Sequence, residues 1–220
     1  MIVRFVERHL DPSETLLEVL FGLIMALTIT VGARLLTERA EIVGLELALA
    51  LLGCNIAWGV IDGAFFLLGT IFNRNRRVQF VKRLQAASND AEAMAAVKEE
   101  FDLEGEPPMQ PQDRASLHGS LLELFRHAGT ARARLRASDW VAAALIAVLV
   151  AATAIPGLIP LLIFHDGFVA LRVANALQVG LLFFTGYWWA GYSGANRWFT
   201  GLAIALFGTA LVLLAVPLGG

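Results

Sequence analysis

Apolar residues in this chain gather in long blocks, without strand-like alternation. Five blocks reach the length of about 20 residues that a hydrocarbon core asks of a helix. They cover residues 16–36, 43–72, 139–164, 167–190 and 197–217. The second is over-long, so it either tilts or continues into water. Asp11-Pro12-Ser13 punctuates the start of the first, where proline suits an opening helical turn. Ahead of it, Ile2, Phe5, Val6, His9 and Leu10 share one helical face, and Arg4, Glu7 and Arg8 the other. That pattern fits a short helix lying in the membrane interface or packed on the protein itself. Charge runs through this stretch and no short apolar core with a cleavage site follows, so it does not read as a secretory signal. The pattern predicts an all-α polytopic membrane protein in four sections: an interfacial helix at 1–12, transmembrane helices one and two within 13–72, a helical segment at 73–138, and helices three to five within 139–220.

The segment between blocks two and three is polar and patterned for helices. Asn89 followed by Glu92 resembles a capping box, opening a helix that runs to about Phe101. The stretch from Glu104 to Gln112, with Pro107, Pro108 and Pro111, is a break. Leu117, Leu121, Leu124 and Phe125 then mark an amphipathic helix leading to the basic run before the third span.

Composition agrees with a membrane protein: 57% of the 220 residues are hydrophobic and 16% charged, and mean hydropathy is +0.66. Soluble domains average about 45–50% apolar and about 25% charged. Charge adds an orientation. Eleven of the 17 Lys and Arg residues fall in 73–138, from Arg74, Arg76 and Arg77 to Arg132, Arg134 and Arg136. The positive-inside rule makes that segment cytoplasmic, the N-terminus inside and, with five spans, the C-terminus outside. Fourteen basic residues then lie inside, against Arg34, Arg39 and Arg172 outside. Trp140, the cluster of Tyr187, Trp188, Trp189 and Tyr192, and Trp198 fall at the same predicted inner ends, where amphipathic rings settle. The net charge of -2 points to no nucleic acid. Cys54, alone in an apolar run, reads as a packing residue. No nucleophile–base pair, metal motif or phosphate loop is visible, so the chain does not read as an enzyme. The expected setting is a prokaryotic cell membrane.

Asp62 is the residue that carries chemistry. It sits inside the second block in the run Gly53-Cys54-Asn55-Ile56-Ala57-Trp58-Gly59-Val60-Ile61-Asp62-Gly63. A carboxylate at that depth is costly unless it faces protein, water or a cation, and such residues mark ion or proton paths. Counting from the predicted inner ends, near Leu16 and Phe72, puts Met25 and Asp62 at one depth, roughly 14 Å in at about 1.5 Å per residue. Glu18, Phe21, Met25, Thr28 and Gly32 follow helical spacing on the first span; Asn55, Gly59, Asp62 and Phe66 do so on the second. A carboxylate with a thioether suits a borderline transition metal such as ferrous iron better than calcium or magnesium. The plainer readings are packing for Met25, a solvated interfacial carboxylate for Glu18, a close helix contact at Gly59 and Gly63, and a structural partner such as Arg172 for Asp62. Asn175 and Gln178, one turn apart on the fourth span, read as an interhelical hydrogen bond or a path lining. Pro156 and Pro160 break the backbone ladder of the third.

Several short stretches resemble the vacuolar iron transporter family: Asp11-Pro12 and Leu17-Glu18-Val19-Leu20-Phe21-Gly22-Leu23 at the first span, Asn73-Arg74-Asn75 after the second, and Ile155-Pro156-Gly157-Leu158-Ile159-Pro160-Leu161-Leu162 in the third. The resemblance implies five spans, an inside N-terminus, a cytoplasmic helical segment, and a homodimer with the ion path at the subunit interface, driven by counter-moving protons. Where the family continues Phe-Gly into Asn-Asp-Gly after one residue, this chain has Ile24-Met25-Ala26, and the family's second-span methionine falls on Asp62. The pair reads as exchanged, which keeps the ligand set. Asp62 is then the expected ligand and proton carrier, Met25 a soft ligand, and Glu18 the cytoplasmic mouth, with Asn55 and Thr28 along the path. The family's metal-collecting segment is rich in Glu and Met; here Glu92, Met94, Glu99 and Glu100 are the candidates, with Glu104, Glu106 and Met109 beyond, against the alternative of a solvated acidic face. The expected function is export of Fe2+ or Mn2+ from the cytoplasm, with the bilayer, the ion and a second copy as partners and no tightly bound cofactor. The alternatives are a non-transporting membrane anchor whose segment binds a partner, and a proton or small-solute channel.

Overall fold

A computed structural model describes residues 10–36, 44–102 and 110–218, with the side chains of 34–36 left aside. Residues 1–9 of the interfacial helix expected at 1–12, and the acidic or thioether candidates Glu104, Glu106 and Met109, lie outside the described residues, while Pro12 belongs to the first span. Regular structure among the described residues is entirely helical: α1 Pro12–Leu36, α2 Leu45–Gln85, α3 Asp90–Glu100, α4 Pro111–Arg126, α5 Ala137–Ala152, α6 Ile155–Ile163, α7 Gly167–Ser193 and α8 Arg197–Ala215, closed by a 3-10 turn, Val216–Leu218. Five candidate spans result: Pro12–Ala33, Leu45–Gln85, Ala137–Ile163, Gly167–Ser193 and Arg197–Leu218. The chain is a polytopic all-α membrane protein. It divides into two compact units, Leu68–Leu135 and the remainder, and α2 contributes to both.

In the larger unit α1 is the central helix. Pro12 opens it, and Asp11 closes its first turn by accepting from Ser13 Oγ (2.7 Å) and Ser13 N (2.8 Å). Those two donors hold the Asp11 carboxyl below its ordinary value. One side of α1 packs through Ala26 against Leu47, Ala48, Leu51, Leu161 and Leu171. The other packs through Leu23 and Leu27 against Leu182, Ala205, Val212 and Val216. Lipid is as apolar as leucine, so such contacts depend on close packing, and small residues make them possible. Gly59 and Gly63 of α2 meet α5 this way: a Cβ would lie 2.6 Å from Ala147 O at the first and 2.7 Å from Ala143 O at the second. The third span is broken at Thr153-Ala154, because Pro156 has no N–H to give and α6 restarts at Ile155. Asp166 and Asn196 cap α7 and α8 through their side-chain oxygens.

The smaller unit is the end of α2 with α3 and α4. Phe80, Val81 and Leu84 of α2 pack on Ala93, Val97 and Leu122. Asn89 caps α3 by accepting from Glu92 N (2.9 Å), and Glu92 Oε2 accepts from Ser88 N (2.9 Å). Gln85 Nε2 donates to the carbonyls of Phe125, Arg126 and Ala128, closing the C-terminus of α4.

Candidate ion site

Two contacts fix how α1 and α2 run past each other. The Phe21 and Trp58 rings meet edge-on, centroids 5.9 Å apart, and Asn55 Nδ2 donates to Gly22 O at 3.2 Å. With antiparallel helices, three residues back from Phe21 and four on from Trp58 lead to the same level: Glu18 faces the neighbourhood of Asp62. The two carboxylates are close enough to feel each other's charge, and Glu14, one turn back on α1, adds a third.

The same register separates Met25 from Asp62. Met25 lies one turn from Phe21 in the opposite direction, so the two are offset along the helices by about 12 Å at ~1.5 Å per residue. Depth counting put them level because it took Phe72 as the end of the second span. The helix runs on to Gln85, so Phe72 marks no structural boundary.

Asp62 lies on the rim of the α2–α5 contact, between Gly59 and Gly63. Its Oδ2 is buried and has no hydrogen-bond partner among the described residues. Arg172 is engaged elsewhere, its guanidinium 4.2 Å above the Phe168 ring of its own helix. Half-buried Met25 and Thr28 share the α1 face that carries Glu14, Glu18 and Phe21, and the Thr28 hydroxyl donates to Ile24 O (2.8 Å).

Asn55 has a different situation. It is fully buried, and besides Gly22 O its Nδ2 reaches Val150 O (3.2 Å) and Thr153 Oγ1 (3.0 Å). Three helical elements, α1, α2 and the end of α5, are thereby tied at one amide. Two turns beyond Gly22 on α1, Thr30 Oγ1 donates to Gln178 Oε1 (3.1 Å), linking α1 to α7, and the Gln178 amide rests where a Cβ on Gly157 would stand.

The candidates of the smaller unit do not converge. Glu92 is spent on the α3 cap. Met94 packs against the hydrophobic core. Glu100 Oε1 pairs with Arg76 at 2.7 Å, and Glu99 is exposed. Among the described residues no three His, Cys, Asp or Glu side chains gather at metal-binding distance. Two members of the α1–α2 site escaped sequence reasoning. Glu14 is signalled by its i, i+4 spacing to Glu18, and the Phe21–Trp58 pair by nothing short of the register.

A helical bundle with five apolar spans and carboxylates lodged between the first two belongs with the proteins that move ions across bilayers. The comparison of sequences narrows this: the model of the VIT family matches residues 73–220, and the chain belongs to that family. Membership makes it a membrane transporter of metal or other ions. The match covers 148 of 220 residues, from within the long α2 helix onward, while Glu18 and Asp62 precede it. No curated protein and no solved structure matches the chain.

Proposed function

We propose that this transporter carries a divalent transition metal, Fe2+ or Mn2+, out of the cytoplasm in exchange for protons, as a homodimer. The observation that carries the reading is the Asp62 carboxylate, with one buried oxygen lacking a donor among the described residues and with Glu18 within electrostatic reach. Like charges crowded at membrane depth favour uptake of a cation or a proton. Glu18 and Asp62 give two hard ligands. A transition-metal ion takes more, so the others come from water and from the same face of a second copy. Met25, two turns further along that face, is then a later station on the path, where a soft sulfur suits an ion shedding water. Asn55 holds the helices that flank this face and does not contact the ion. With the basic segment inside, the Glu14–Glu18 end of α1 is the cytoplasmic mouth.

Purified protein in liposomes should take up Fe2+ when the acceptor side is acidic. Asp62→Asn should abolish that uptake while inserting and melting like the parent. Uptake by Asp62→Asn equal to the parent's would remove Asp62 from the path. A parent indifferent to the pH gradient would remove proton exchange.

A further inference from the structure

The smaller unit holds a cleft of about 600 Å³ that the ion path does not use. Its wall is aromatic. Phe101 and Phe125 stack at 5.6 Å with 20° between planes, and Phe80 sets its edge against both. Its lip is polar, formed by Asn73, Arg76, Arg77 and Glu100, so that the two guanidinium groups outnumber the one carboxylate. Glu100 fixes Arg76 through one nitrogen at 2.7 Å, which orients the guanidinium and leaves its other donors available. Arg77 is exposed and makes no ion pair or hydrogen bond among the described residues. Asn73 is the first residue after the apolar run ending at Phe72, so the lip begins where the second span's sequence turns polar. Guanidinium groups recognise phosphate oxygens bidentately, and an aromatic wall beside them suits an apolar body attached to that phosphate.

We infer that this cleft binds a phosphate-bearing anion, with Arg77 and Arg76 on the phosphate and the Phe101–Phe125 stack against its apolar part. A phospholipid headgroup and a soluble phosphate both offer the group, and only the lipid also offers the apolar body.

Native mass spectrometry of the full chain, released from mixed micelles of phosphatidylglycerol and phosphatidylcholine, tests this. The parent should retain phosphatidylglycerol in preference to phosphatidylcholine. Arg77→Gln should lower that retention about five-fold, the effect of one cation near an anionic headgroup. Arg77→Lys should recover part of it, and Arg83→Gln, on the same helix but outside the cleft, should leave it unchanged. If inorganic phosphate at equal concentration displaces the lipid, the site takes free phosphate; if it does not, it takes the lipid. Either result supports the site. Equal retention of the two lipids, or equal losses in Arg77→Gln and Arg83→Gln, overturns it.

Discussion

Asn55 and Asp62 are both polar residues on α2, seven positions apart in the same apolar run, and each buries one oxygen that meets no donor among the described residues, yet only Asn55 donates to neighbouring helices. Asn55 is at the centre of the bundle, and its amide nitrogen has oxygens of α1 and of the end of α5 within reach. Asp62 is at the rim, where among the described residues it donates to no neighbouring helix and has a second carboxylate nearby. Polarity at membrane depth therefore has two uses in this protein. One ties helices together where hydrophobic burial cannot. On the proposed function, the other leaves a carboxylate for a mobile cation or proton to satisfy. The number and kind of partners separates the two roles, and residue type alone does not.

Substitutions can break that contrast. The largest expected effect is on flux: Asp62→Asn keeps the volume and removes the charge, and uptake should fall by at least about ten-fold, a cost of ~1.4 kcal/mol or more, with no drop in melting temperature. Asn55→Leu should do the reverse, losing roughly 1–3 kcal/mol of stability as the interhelical bonds go, with flux per folded molecule kept. If Asn55→Leu abolishes flux at unchanged stability, the two roles are not distinct. Next comes a comparison within the site. Glu18→Gln should reduce flux more than Met25→Ala, because the helix register brings Glu18 to the level of Asp62 and offsets Met25; the opposite ranking would favour a Met25–Asp62 pair. The smallest effect concerns Asp11. Its carboxyl is held below the ordinary value by Ser13, so its support of the α1 start is present above that value and lost as pH falls through the lowered one. Asp11→Ala should therefore lower the melting temperature slightly at neutral pH and make no difference in strong acid.

Much of this architecture was legible in the chain. Five spans follow from apolar block length, and the α3 cap from Asn89 and Glu92, because both signals are local. Asp62 stood out for the same reason, a carboxylate in the wrong solvent. The register was not legible: the turn to polar sequence at Asn73 does not end α2, which continues to Gln85, and setting Phe72 level with Leu16 paired Asp62 with Met25 in place of Glu18. The role of Asn55 was hidden too, since two of its acceptors are backbone carbonyls of Gly22 and Val150, which leave no trace in side-chain pattern. Glu92, Met94 and Glu100 looked like a loose ligand set because a cap, a core contact and an ion pair draw on the same residue types.

The central claim is that Glu18 and Asp62 hold the transported ion, and binding tests it more directly than flux. Melting temperature should be followed while Mn2+ is titrated into the parent and into Asp62→Asn, in the same detergent and at the same pH. A ligand of the folded state stabilises it by about 2.7 kcal/mol at a hundred times its Kd. The parent should therefore show a saturable rise in melting temperature, and Asp62→Asn should show none. A variant that rises as the parent does, or a parent that does not rise, would contradict the account.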